Sequence, residues 1–217
     1  MRKNVIFVIV FIAVILGLVK LHTISLENEK NQSIGIKGIA NIEYPASVEV
    51  RNDIPFELLI NPEDKALLPD SVNCEEFRPN LILLKKGFDE KDSLQLKEFP
   101  NIIANAISLE NFDASILETE YAESLGENLN NLVKQNAERT SSTISNWQAL
   151  PISKINGATV LKFKYKLENR NKKNLNIIIA YLFKDNKQVE ITLTAPNKNI
   201  EEWTTIYNEI LNTASIN

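Results

Sequence analysis

Three lysines at two-residue spacing, Lys162, Lys164 and Lys166, form the pattern in this chain most capable of chemistry. Alternate side chains of a strand share a face, so this spacing builds one basic row. Such a row can hold an anionic lipid headgroup or an acidic partner surface. The same pattern also arises on a solvated strand face, or where lysines guard a sheet edge against aggregation. Trp147 joins the lysines as a candidate binding residue. It lies shortly before Pro151 in a strand or loop, and exposed tryptophans make strong interface anchors.

Other reactive side chains point elsewhere. Cys74 is followed by Glu75 and Glu76, whose charges raise a thiol pKa and weaken it as a nucleophile, so a small packed side chain is expected there. Glu118, Glu120, Glu123 and Glu127 lie along one stretch of helix. Glycoside hydrolysis needs carboxyls opposed across a cleft, and a calcium loop needs a tight Asp/Asn/Gly pattern, so neither is expected. The only histidine is His22, near the N-terminal apolar run, and the only cysteine is Cys74. Ser-His-Asp or Cys-His catalysis inside a folded domain is therefore not expected, nor is a cysteine-based metal cluster. The six glycines are not grouped into a phosphate loop. No catalytic residue, metal or cofactor is expected, and the chain is read as a non-enzyme.

Placement comes from the N-terminus. Met1-Arg2-Lys3-Asn4 precedes fifteen uncharged residues, Val5 to Val19, and then Lys20. A basic start feeding an apolar run is how chains are handed to a membrane. As a helix the run is about 22 Å long against a hydrocarbon core of about 30 Å. Lys20 can snorkel and let Leu21 join the buried length. The segment after Val19 lacks the small-residue pattern of a cleavage site. Residues 1–21 are therefore expected to be an uncleaved anchor, contacting the membrane through residues 5–21, with the remainder extracytoplasmic. The alternative is secretion after signal cleavage.

Beyond residue 21, 196 residues suit one domain with a stalk. Residues 22–150 carry 11 basic and 22 acidic side chains, and residues 151–217 carry 10 and 6. An acidic chain argues against nucleic acid as a partner. Residues 22–41 are polar with scattered isoleucines and read as a stalk, ending in a short strand; the domain is expected over 42–217.

Within it, residues 47–51, 55–60, 80–85 and 102–109 read as strands, and 87–97 as a charged loop or hairpin. Leu117, Tyr121, Leu125, Leu129, Leu132 and Val133 form a helical stripe over 116–135. Strands follow at 142–149, 161–167, 177–183 and 189–195. In 161–167, Leu161, Phe163, Tyr165 and Leu167 face the core and the three lysines face water. Residues 177–183 are apolar on both faces, as in a central strand, and form a hairpin with 189–195. Ile200, Trp203, Ile206, Tyr207, Ile210, Leu211 and Ala214 make a second stripe, with Asn199 as N-cap and Glu202 completing a capping box. The fold class is α+β: an antiparallel sheet flanked by amphipathic helices, preceded by one N-terminal membrane helix.

The order of these elements resembles the PsbP-like α/β/α superfamily, including its exported bacterial DcrB-type members. The resemblance is carried by Asn156-Gly157-Ala158 entering a long strand, a hairpin ending Leu193-Thr194-Ala195-Pro196, a terminal helix, and the long helix upstream. It covers about residues 45–215. The chain departs from the DcrB type in having no lipid-accepting cysteine after its apolar run. The resemblance implies no shared catalytic site. It implies a domain that binds or stabilises other proteins. The expected function is a membrane-tethered accessory domain with a protein partner in the cell envelope. The alternatives are a lipid or small-ligand carrier, and an envelope enzyme with an unrecognised carboxylate site.

Overall fold

The computed structural model describes residues 31–54, 78–89, 99–110, 112–118, 121–168 and 174–217. The expected membrane helix, the strand at 55–60, Cys74 and most of the 87–97 loop lie outside them. Among the described residues, no helix is long and apolar enough to cross a membrane.

Eleven strands and two helices are described. The strands are β1 (Gln32–Ile36), β2 (Ala40–Tyr44), β3 (Val48–Val50), β4 (Leu81–Lys85) and β5 (Asn101–Ser108), then β6 (Thr143–Ala149), β7 (Ser153–Ile155), β8 (Ala158–Glu168), β9 (Asn174–Lys184), β10 (Lys187–Pro196) and β11 (Ser215–Ile216). Helix α1 (Tyr121–Arg139) lies between β5 and β6, and α2 (Ile200–Thr213) between β10 and β11. Eight strands form one sheet: β3-β4-β5-β10-β9-β8-β6 in order, with β7 pairing β8 beyond the end of β6. Every described pairing is antiparallel. β1, β2 and β11 form a small second sheet. The α+β class is as expected from the patterning.

Pleat and register divide the large sheet into two faces. Ile178, Ala180 and Leu182 of β9 and Val189, Ile191 and Leu193 of β10 point to one face, where they join the largest core cluster. Helix α2 buries Trp203, Ile206, Tyr207, Ile210 and Leu211 there, as its stripe foretold. The Tyr207 hydroxyl, fully buried, donates to the Ile191 carbonyl at 3.0 Å. The small sheet contributes to the same cluster through Ile36, Ala40, Ile42 and Ile216. On the opposite face α1 packs over β6 and β8. Gly126 faces the Phe163 ring there, and an added Cβ would sit at ordinary contact distance, 3.5 Å, from it.

Several expectations are corrected. Ile36 and Ala40 are each only 1% exposed and belong to strands, so residues 32–41 are part of the domain rather than stalk. Helix α1 begins at Tyr121, and Leu117 lies in a preceding 3-10 turn, Ala114–Glu118. Leu132 points outward at 53% exposure; Leu125 and Leu129 pack inward, and Ala137 is buried. Asn199 stands at the α2 N-terminus but makes no side-chain cap bond, because the chain enters through a 3-10 turn, Asn197–Asn199. β7 was missed, being three residues long. Its signal was Asn156-Gly157, both at positive φ (48° and 83°), which closes the two-residue β7–β8 hairpin. Asn156 then donates to the carbonyls of Asn212 and Ala214, tying that hairpin to the end of α2.

One ionisable group works against this core. Glu190 of β10 lies beside Tyr181 of β9 on the face opposite α2. Burial holds its carboxyl above the ordinary range, partly opposed by the hydrogen bond from Thr192 Oγ1 at 3.0 Å. A carboxyl raised in the folded state favours folding while protonated, and that contribution is lost as pH rises through its folded pKa. Glu190→Gln is therefore expected to raise the melting temperature at pH 7. The gap to wild type should close as pH falls through the titration. A gap that persists unchanged in acid would refute the burial account.

Candidate binding pocket at the β8–α2 seam

β8 places Lys162, Lys164 and Lys166 together on the α2 face, each opposite a β9 residue: Ala180, Ile178 and Asn176. Successive lysines are thus about 6.6–6.8 Å apart along the strand. They line a concavity of about 390 Å³ between the sheet and α2. Asn146 and Gln148 of β6 form one wall, Ile200 and Thr204 of α2 the other, and Ile178 part of the floor. No carboxylate is among the described residues lining it.

The row is not a uniformly wet face. The first half of β8, from Ala158 to Leu161, is buried on both sides. Lys162 is half-buried under α2. Its Nζ donates to Asn208 Oδ1 at 3.0 Å and lies 5.3 Å from the centre of the Tyr207 ring. Burial pushes the Lys162 ammonium below its ordinary pKa, and the charge of Lys164 adds to this. Lys164 is exposed and Lys166 partly so.

Trp147 is placed elsewhere. The β6–β8 register breaks between Ser145, opposite Lys166, and Gln148, opposite Lys164. Two β6 residues therefore face Tyr165 alone, which is a β-bulge, with Asn146 at φ 57°. The bulge turns Trp147 to the α1 face. There it stacks on Phe163 at 5.4 Å and on Tyr165 at 5.6 Å between ring centres. Burial, aided by the Glu190 charge, pushes the Tyr165 hydroxyl up to about 12. The structure thus gathers the three lysines and separates Trp147 from them. Asn146, Gln148, Asn176 and Asn208 were missed. For Asn208 a signal existed: Ile200, Thr204 and Asn208 recur at spacing four beside the apolar stripe of α2.

This geometry separates the row by role. Lys164→Gln and Lys166→Gln are each expected to change stability by less than about 0.5 kcal/mol. Lys162→Ala removes a packed stem, a hydrogen bond and a ring contact, and is expected to cost about 1–2 kcal/mol. Chemical denaturation of the three variants checks this; equal effects at all three positions would refute the division.

A second concavity, about 770 Å³, lies at the N-terminal end of α2. Phe88 and Phe99, edge to face at 5.4 Å, border it with Pro100, Pro196 and Trp203.

No protein-family model matches the sequence. No curated protein matches it either. Solved structures do match. The solution structure of cyanobacterial PsbP (CyanoP) from Synechocystis sp. PCC 6803 superposes with a TM-score of 0.54 at 8% identity, covering 87% of this chain and 94% of that one. LpqN of Mycobacterium tuberculosis, described as involved in cell envelope biogenesis, gives 0.48 at 12% identity over 88% and 94%.

Proposed function

We propose, from the premise that the chain has a PsbP-like fold, that it is a non-enzymatic accessory domain held on the extracytoplasmic side of a membrane by its N-terminal segment. It works by binding an anionic group of a protein partner in the cell envelope through the β8–α2 pocket. The observation carrying this reading is the convergence of three lysines on one concavity whose described lining offers them no carboxylate. Like charges held together at a protein surface steer and select an oppositely charged partner. The basic excess of residues 151–217 accords with this, as does the basic start and apolar run of residues 1–21 with tethering.

The test is co-purification of the full chain from detergent-solubilised membranes at low salt. Wild type should retain a partner that Lys164→Glu/Lys166→Glu loses and that added salt releases. A partner retained equally by both proteins would remove the pocket from this role. A second reading, a carrier of a lipid or small ligand, is favoured by the larger concavity with its aromatic and proline border. Native mass spectrometry of the purified chain distinguishes the two, since a carrier arrives with its ligand bound.

A further inference from the structure

The donor set of the β8–α2 pocket names the anion more closely. We infer that this pocket is a binding site for a phosphate group, free, in a small ester or in a lipid headgroup. The inference rests on the reading of the pocket as an anion-binding site.

Four observations carry it. The cationic donors are lysines only, with no arginine among the described lining residues. Arginine's planar fork matches carboxylate and phosphate alike, whereas lysine is a common phosphate ligand that acts as a point charge and does not favour a planar pair of oxygens. The donors also approach from several directions. Lys162, Lys164 and Lys166 come from β8, Asn146 and Gln148 from β6, and Thr204 from α2. Such a spread suits a tetrahedral oxyanion better than a flat carboxylate. One donor is pre-positioned: Lys162 is held by Asn208 and the Tyr207 ring at the inner end of the row. Less of its freedom is left to lose on binding. Finally, the volume of about 390 Å³ accepts a compact group. An extended acidic helix would lie across the opening rather than enter it.

The walls are fixed by features already described. The bulge at Asn146 turns Trp147 away, so Asn146 and Gln148 rather than an indole line the pocket with the lysines. Asn176, at the far end, is anchored to Asn197 Oδ1 at 2.8 Å and closes that side without adding negative charge.

The experiment uses the full chain in a neutral detergent and measures residue-by-residue lysine acylation by mass spectrometry. Inorganic phosphate and glycerol phosphate are the soluble probes, with chloride at equal ionic strength as control. Phosphatidylcholine vesicles with and without phosphatidylglycerol form the lipid arm. Lys164 and Lys166 should be protected by phosphate and not by chloride, while Lys134, exposed on α1, stays unchanged. Lys164→Gln/Lys166→Gln should weaken phosphate binding roughly tenfold or more with no change in melting temperature, and the Lys164→Arg/Lys166→Arg pair should retain part of it. Protection by soluble phosphates identifies a free or small-ester source. Protection only with phosphatidylglycerol identifies a headgroup. Protection no greater than chloride gives overturns the inference, as does stronger protection by an acidic polyglutamate peptide than by phosphate. A charge-dependent protein partner without phosphate protection would sink this inference and leave the proposed function standing. Phosphate protection without such a partner would do the reverse.

Discussion

A chain beginning at residue 42 is expected not to fold, whereas one beginning at residue 31 is expected to melt cooperatively. The difference is eleven residues and most of the small sheet. β11 pairs with β2 only through Ala40 and Asn41, so cutting after 41 removes its whole partner. The cut also removes β1, the buried side chains of Ile36 and Ala40, and the Ile39 carbonyl that accepts from the Asn217 amide. Full burial of one isoleucine is worth about 1.5–3 kcal/mol. Added to a lost strand and an unpaired β11, this reaches the scale of a domain's net stability, about 5–15 kcal/mol. Circular dichroism and thermal melting of the two truncations decide the matter. Equal transitions would show that the small sheet decorates a core that does not need it.

Trp203→Ala is expected to cost about 3–5 kcal/mol, the range for large buried aromatics. Trp203 is 2% exposed and sits in the cluster that joins α2, the small sheet and β9–β10. Its loss opens a cavity at the junction of three elements, where no single one can shift to fill it. For a domain of this size the melting temperature should fall by about 6–20 °C. Trp203→Phe should recover much of the loss. A cost below about 1 kcal/mol would mean that α2 does not dock by this face.

What could be read from the sequence followed from the strictness of each pattern. β8, β10 and α2 were legible because their alternation or stripe runs unbroken for at least seven residues, and an amphipathic period has only one way to bury itself, while β9 was legible as an unbroken apolar run. β1 and β2 were not, since Gln32, Ser33, Gly35 and Asn41 dilute the apolar signal. Their burial depends on a strand from the far end of the sequence, which no local window contains. The lysine row was assigned to one face correctly. Alternation says which residues share a face and nothing about what covers it, so the position of Lys162 under α2 was invisible. Alternation alone also misplaces Trp147. Counting by twos from Ser145 puts it beside the lysines, and one extra residue at Asn146 reverses that parity. Nothing in the residue type announces the bulge; Asn tolerates the left-handed region without requiring it.

The pairing of β2 with β11 also sets a timetable. Asn41 and Asn217, joined side chain to side chain, are 176 positions apart. Contacts this distant in sequence are the slowest to form, because the intervening chain must be ordered before they return any energy. The small sheet cannot close until residue 216 has been made. Until then β2 lacks one neighbour, and until residue 213 has been made α2 is not complete to cover the large sheet. A nascent chain therefore has no finished core to lock it. On the proposed extracytoplasmic placement, that delay keeps the polypeptide extensible during passage across the membrane, and β11 acts as the latch that ends it.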